Sequence, residues 1–388
     1  MNRKIRMGMV GGGRDAFIGA VHRMAATLDG HIELVCGAFS SDPIKSKASG
    51  EDLYLPEHRV YETYQQMFET ESELAEDERM DFVSIVTPNN VHFPIAKLAL
   101  EHGFHVMCDK PMTFDLDQSL VLKQLVQKTG LQFGLTHNYT GYPMVKEARQ
   151  LVKNGHLGKV RKIVVEYPQG WLSSFEEETG QKQAAWRTDP SRAGISSCIG
   201  DIGTHAENLM EYITGLKVIA LCADLTTFVS GRKLEDDGNV LVRLEQGAKG
   251  VLYASQVSVG EENALTIRVY GEDRGLEWRQ EEPNTLIIKS SDEHRQLRRT
   301  GFGPLSDIAN LNTRLPPGHP EGFIEAFANV YRNYAMALQS RLAKKETQEE
   351  YLDFPTVEDG VRGMAFIEAC VKSSISESKW YQLEEKIG

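Results

Sequence analysis

In the stretch CIGDIGTHAENLMEY, residues 198–212, an aspartate and a histidine, Asp201 and His205, stand four residues apart. On a helix that spacing projects both side chains from one face. A carboxylate one turn from an imidazole orients the ring and stabilises its charged form, which suits a general base that takes a proton from a hydroxyl. An ordinary amphipathic helix with a surface acid and a packed histidine has the same spacing. Cys198 could join the pair as a metal ligand, but no second ligand cluster completes a shell, so no metal is expected. A lysine is the other candidate. HVMCDKP, residues 105–111, runs an apolar strand into Asp109, Lys110 and Pro111. A solvated strand end broken by proline accounts for those charges. So does a strand that delivers a lysine cation to a cleft, where it would stabilise a developing alkoxide.

The elements that must carry these groups change character along the chain. KIRMGMVGGG, IELVCGAFSS, DFVSIVTPN, HVMCDKP and QFGLTHN read as strands, separated by helical patterns such as GAVHRMAATL and VHFPIAKLALEHG. That rhythm predicts βαβ units and a parallel sheet, with ligands at the carboxyl ends of the strands. Beyond about residue 137 a helix, PMVKEARQLVKNG, leads into strand-like runs from VRKIVVEYPQG to TLIIKSS, broken by one helix around DIGTHAENLMEYITG. Short turns between them predict an antiparallel sheet. TGFGPLSDIANLNTRLPPGHPEG reads as loop, and helices near 321–343 and 357–374 close the chain. The expected fold is α/β: a Rossmann dinucleotide-binding domain over residues 1–136, then an α/β domain over 137–388 with a large, open, mainly antiparallel sheet.

Glycines at the first strand–helix junction, Gly11, Gly12, Gly13 and Gly19, would let the backbone approach a pyrophosphate held at the N-terminus of the helix that follows, with Phe17 and Ile18 in the same cofactor-binding set. The spacing departs from GxGxxG, and a glycine-rich surface turn would look alike. Ser40 and Ser41 stand where an acid usually meets the adenosine ribose, and suit either a ribose hydroxyl or a 2′-phosphate. No arginine flanks that strand end, which favours NAD over NADP. Thr87, Asn89 and His92, in TPNNVH, would face the nicotinamide half; Asn89 or Asn90 could equally cap the next helix. Asn138 joins the cofactor-binding set from HNYTGYP.

Composition sets outer limits. A chain of 388 residues with 25% charged residues and a formal net charge of -12 is globular, and is a poor partner for nucleic acid or an anionic membrane. No apolar window is long enough to span a bilayer. Five scattered cysteines without CxxC spacing read as reduced thiols in a cytoplasmic protein.

Taken together, the glycine turn, TPNNVH, DKP and Asp201-x-Gly203-x-His205, in that order, resemble the Gfo/Idh/MocA oxidoreductases, which include glucose–fructose oxidoreductase and inositol dehydrogenases. The resemblance covers most of the chain. It implies that Lys110 lies beside the nicotinamide and the reacting hydroxyl, that His205 accepts the proton, and that Asp201 binds substrate and orients the pair. Asp109, where the family has glutamate, would reach toward the nicotinamide ribose, and Pro111 would aim Lys110. The lysine and the histidine would meet at an interdomain cleft. Tyr139, Trp186 and Arg187 are candidate substrate contacts: an aromatic plate with polar donors suits a hydroxyl-rich ring. Arg192 could add a donor, and Asn208 replaces an acid common in the family. The expected activity is hydride transfer at a secondary hydroxyl of a sugar, glycoside or cyclitol, with pyranose C3 as a candidate position. A glycosidase that oxidises its sugar transiently and a sugar-responsive regulator are the alternatives. A second sheet rich in Val, Leu and Ile predicts a homodimer or homotetramer.

Overall fold

The computed structural model describes residues 3–14 and 16–383, which divide into two units. The first runs through Asn138 and takes in Phe327–Val361; the second holds Tyr139–Ala326 and the chain from Arg362 onward.

In the first unit, strands β1 (Ile5–Gly11), β2 (Ile32–Ala38), β3 (Phe82–Val86), β4 (His105–Cys108) and β5 (Phe133–Leu135) form one parallel sheet in the order β2-β1-β3-β4-β5. The connections carry helices α1 (Phe17–Thr27), α2 (Pro43–Asp52), α3 (Tyr64–Glu73), α4 (His92–Glu101) and α5 (Leu116–Thr129). Strands covered on both faces read as continuous apolar runs, and every residue of β3 and β4 is buried. The order reverses between β1 and β3, which places the glycine turn and Thr87 side by side at adjacent carboxyl strand ends.

A linear division at residue 136 does not provide for the return of Phe327–Val361 to this unit. Helix Phe323–Leu342 buries Phe327, Tyr331, Tyr334 and Leu338, and the Tyr334 ring meets Phe82 of β3 at 5.2 Å between centroids. Its apolar stripe is legible in sequence; which sheet the stripe covers is not.

The second unit opens with α6 (Pro143–Lys153), β6 (Lys162–Pro168) and two short helices, α7 (Lys182–Arg187) and α8 (Pro190–Ala193). A π-helical turn, Ile199–Gly203, leads directly into α9 (Thr204–Thr214). Strands β7 (Val218–Thr226), β8 (Asp237–Leu244), β9 (Lys249–Ser255), β10 (Thr266–Tyr270), β11 (Arg274–Arg279), β12 (Thr285–Ser290), β13 (Gln296–Arg299) and β14 (Trp380–Gln382) join β6. Together they form a nine-stranded sheet ordered β13-β12-β11-β10-β6-β9-β8-β7-β14, in which β6 and β9 run parallel and the other pairs antiparallel. Strand β8 alternates cleanly, with Val240, Val242 and Leu244 buried and Asn239, Leu241 and Arg243 exposed. The open face mixes aliphatic and charged groups: Val164, Leu241, Val251, Ile287 and Leu297 are interleaved there with the ion pairs Arg268–Glu166 and Lys289–Glu277. No helix among the described residues is long and apolar enough to cross a membrane.

One buried group predicts an acid sensitivity. His105 Nδ1 accepts from the Gln132 backbone N–H at 2.8 Å, which only the unprotonated nitrogen can do. Burial, with help from Arg341, pushes its pKa down to about 4 from 6.5. The unfolded chain therefore binds a proton between those values that the folded chain refuses, and stability falls as pH drops below 6.5. The loss reaches about 2 kcal/mol by pH 5. His105→Asn keeps an acceptor without the titration, so its melting temperature should vary less between pH 7.5 and pH 5 than that of the wild type. Parallel slopes would refute this account.

Candidate active site

The cofactor end is assembled in the first unit. Gly11 and Gly12 adopt φ of 82° and 69°, open to glycine and strained for other residues. A Cβ on Gly11 would lie 2.7 Å from the Val86 carbonyl oxygen, and one on Gly19 would lie 2.3 Å from Gly12 Cα. Arg23 donates to the Gly12 carbonyl at 2.7 Å, Gly13 N–H to Phe39 O at 3.2 Å, and Arg14 N–H to Ser49 Oγ at 3.1 Å. The loop is thus tied to β2, α1 and α2. Helix α1 starts at Phe17 behind Ala16, whose side chain makes no capping hydrogen bond to the helix's first N–H groups. Phe17 is exposed and Ile18 half-buried beside it.

At the end of β2 the Ser40 hydroxyl oxygen accepts from Asp42 N–H at 3.1 Å, while Ser41 is exposed. Two cations near this edge already have carboxylates: Arg14 pairs with Asp52 at 2.6 Å and Lys47 with Glu57. Ribose hydroxyls suit such an edge better than a further phosphate.

Beyond β3, the Thr87 hydroxyl and the Asn138 Nδ2 are buried polar groups with no hydrogen-bond partner. Buried polar atoms are rarely left so, and both could meet polar groups of a bound ligand. The glycine cradle and these orphaned groups therefore fit NAD. Asn89 and Asn90 do not cap α4, whose N-cap is Val91. His92 is fully buried, with Nδ1 2.8 Å from Pro111 O and Nε2 2.8 Å from Thr87 O. Both of its nitrogens face backbone carbonyls, so it ties the Thr87 loop to the proline turn instead of offering a nitrogen to a ligand. The Lys110–Pro111 peptide is cis.

Asp109 differs from its expected part. Its Oδ1 accepts from the Thr136 hydroxyl at 2.6 Å and from Lys110 N–H at 2.9 Å, and its Oδ2 lies 3.8 Å from His22 Nε2. Burial alone would raise its pKa, but His22 and Lys110 outweigh burial and hold the carboxyl below the usual range. The shorter acid is thus drawn inward, and anchors the backbone of Lys110. His22 in turn hydrogen-bonds the Tyr331 hydroxyl at 2.7 Å, which meets Ser84 Oγ at 2.8 Å. His137, two residues past β5, is buried and pushed down to about 3, first by burial and then by the charge of Lys110. It stays neutral near the lysine.

The candidate pair Asp201 and His205 lies in the second unit. Asp201 sits within the π-helical turn and His205 in the first turn of α9, nine-tenths buried. The π turn displaces Asp201 from a regular α-helical register, a distortion frequent at functional sites. Asp201 Oδ2 accepts from Arg187 Nε at 3.1 Å and from Gln256 Nε2 at 2.9 Å. The Arg187 guanidinium also lies 4.3 Å from the Trp186 ring centroid, so the arginine bridges the aromatic plate and the carboxylate. Arg192 is exposed on α8. Tyr139 sets its ring edge against His205 at 4.8 Å between centroids. Its hydroxyl meets that of Tyr167 and accepts from Asn263 Nδ2 at 3.2 Å, and burial raises both tyrosine pKa values. Asn208 is buried with an unpartnered Oδ1.

Sequence reasoning missed His22, Thr136, Tyr331, Gln256 and Asn263. Each is remote in sequence from the residue it supports, and nothing local marks it.

Two family models match the chain: an oxidoreductase family with NAD-binding Rossmann fold over residues 5–138, and the GFO/IDH/MocA C-terminal domain over residues 145–277. An uncharacterized oxidoreductase of Bacillus subtilis (strain 168), YfiI, is 33% identical, covering 99% of this chain and 98% of that one. An oxidoreductase structure from Sinorhizobium meliloti is 44% identical with a TM-score of 0.88, over 98% of this chain and all, 100%, of that one. An inositol dehydrogenase homolog from Azotobacter vinelandii, complexed with NAD+, is 35% identical with a TM-score of 0.93 over 98% of each chain. With both domains matched and full-length relatives above 30% identity, the chain belongs to the Gfo/Idh/MocA family of NAD-binding oxidoreductases.

Proposed function

We propose that this oxidoreductase acts on a secondary hydroxyl of a sugar, glycoside or cyclitol, or on the matching ketone, using NAD. The observation that carries the reading is Arg187 held between the Trp186 ring and the Asp201 carboxylate, an aromatic plate and paired polar groups fit for a hydroxyl-rich ring. The Azotobacter neighbour, crystallised also with NADH and myo-inositol, supports the class. For a pyranose substrate, C3 is the position proposed, by family resemblance.

A bound nicotinamide supplies the carbon that takes or gives hydride. The chain's own residues manage the proton and the charge. Lys110 holds its cation to the reacting oxygen, which lowers the cost of alkoxide character. His205 holds the proton that leaves that oxygen, kept in place by the Tyr139 ring edge. Asp201, ionised, favours the protonated imidazole and offers its carboxylate to neighbouring substrate hydroxyls. A homodimer or homotetramer is part of the same proposal, resting on the open sheet face and its interleaved aliphatic residues, as is a cytoplasmic setting for the five thiols.

The test is absorbance at the reduced-nicotinamide band with purified protein, NAD or NADP, and a panel of cyclitols, sugars and glycosides. Reduction of NAD by at least one cyclitol or sugar is the expected outcome. Cleavage of glycosides without net reduction would replace this reading with transient oxidation and elimination. Binding without either reaction would leave a regulator.

A further inference from the structure

The Asp201 carboxylate is not placed by its own helix alone. Gln256, fully buried at the residue after β9, donates its Nε2 to Asp201 Oδ2 at 2.9 Å. Its other amide atom, Oε1, is buried with no partner. Turning the amide over would aim that oxygen at the carboxylate. The contact with Asp201 therefore decides the orientation, and a lone buried acceptor is the consequence.

Gln256 is itself fixed by its backbone, whose N–H donates to Asp236 O at 2.9 Å and whose carbonyl accepts from Leu172 N–H at 3.0 Å. The residue before Asp236 fixes the other partner. Glu235 Oε1 accepts from the Ser196 hydroxyl at 2.5 Å, Ser197 N–H at 3.0 Å and Ile199 N–H at 3.1 Å. Its backbone carbonyl accepts from Cys198 N–H at 3.2 Å, and Ser196 Oγ takes Gly200 N–H at 2.9 Å. Every N–H from Ser197 to Gly200, the turn that leads into Asp201, is thus held by Glu235 or by the serine that Glu235 holds. Two adjacent residues of the β7–β8 connection set both ends of one hydrogen bond.

We propose that Gln256 is a positioning residue for Asp201, with Glu235 and Asp236 fixing the geometry between them. The inference rests on the proposed role of Asp201 beside His205. An amide nitrogen at this point favours the charged carboxylate and holds it turned toward its work, where a second acid would make the pair share a proton and an aliphatic group would remove this donor.

The experiment compares Gln256→Glu, Gln256→Leu and His205→Ala with the wild type. Rates are taken with NAD and myo-inositol, or with whichever cyclitol or sugar of the panel reduces NAD, from pH 5 to pH 10. Gln256→Glu is near-isosteric and sets two carboxyls to share a proton. The acid limb of its kcat/KM profile should move up by about one pH unit or more, while KM for NAD stays unchanged. Gln256→Leu buries no charge and so tests the contact even where the glutamate variant folds poorly; its kcat should fall about tenfold or more, the worth of one hydrogen bond to a charged group. A role confined to packing would lower the melting temperature and leave the pH profile alone, and that outcome overturns the proposal. So would a Gln256→Leu enzyme with wild-type kcat and profile. His205→Ala separates the two levels: if it remains active the functional reading itself fails, whatever the Gln256 variants do.

Discussion

Lys110→Ala should lose roughly a thousandfold in kcat/KM, the scale of removing one group that stabilises developing charge in a dry site, and should bind NAD much as the wild type does. The anchors of this segment lie outside the side chain that is removed. Asp109 Oδ1 holds the Lys110 N–H, Thr136 holds Asp109, and His92 holds the Pro111 carbonyl. Truncation at Cβ leaves all three in place, so melting temperature should change little. Lys110→Arg should restore little, because a planar, delocalised guanidinium cannot stand in for a compact ammonium at a single oxygen. A second readout needs no substrate. The charge of Lys110 helps keep His137 neutral, so in Lys110→Ala the His137 ring should take a proton at higher pH, a shift visible by NMR against its present value of about 3. Turnover within about tenfold of wild type would remove the lysine from the chemistry. An unmoved His137 would show that burial alone sets its proton affinity.

What could be read in the sequence, and what could not, divides along a physical line. The five parallel strands were legible because strands covered on both faces are short apolar runs, as FVSIV and HVMC are. The groups at their carboxyl ends stood out because charge after such a run is unusual. Helix α2 was not legible. PIKSKASGED carries a glycine, two lysines and no apolar stripe, and only its cap, Asp42 before Pro43, marks a helix start. Nor was the π turn, since the spacing of Asp201 and His205 fits a regular helix as well. Partners were the hardest to foresee. The resemblance has Asp109 reaching toward the nicotinamide ribose; Thr136 and His22 hold it instead, and they meet it only because β4 lies beside β5 and α1 packs at the same strand ends. Gln256 reaches Asp201 across 55 residues, a meeting decided by strand order. Residue types at strand ends announce chemistry, whereas the side chains that hold them in place are chosen by topology.

Gly19→Ala should weaken NAD binding between about ten- and a hundredfold, the range expected when one methyl is forced into a closed contact. The added Cβ would meet Gly12 at 2.3 Å from Cα, 2.4 Å from O and 2.7 Å from C, all of them backbone atoms that no side-chain rotation can clear. Either α1 must slide away or the glycine loop must lift. The loop has little freedom to lift without changing the cradle, because Arg23 grips the Gly12 carbonyl and Phe39 O takes the Gly13 N–H. A shift on either side moves the N–H groups at the start of α1, the ones a pyrophosphate would meet, and distance at that point is what sets affinity. Gly30→Ala is the matched control. Gly30 has a positive φ of 73° but nothing within 4 Å of a built Cβ. Its substitution should cost about 1 kcal/mol in stability through backbone strain alone, and leave the dissociation constant for NAD untouched. Calorimetric titration with NAD and thermal melting of both variants separate the two effects. If Gly19→Ala binds NAD as the wild type does, the close approach of α1 to the glycine loop serves packing only, and the cofactor's phosphates must be held elsewhere.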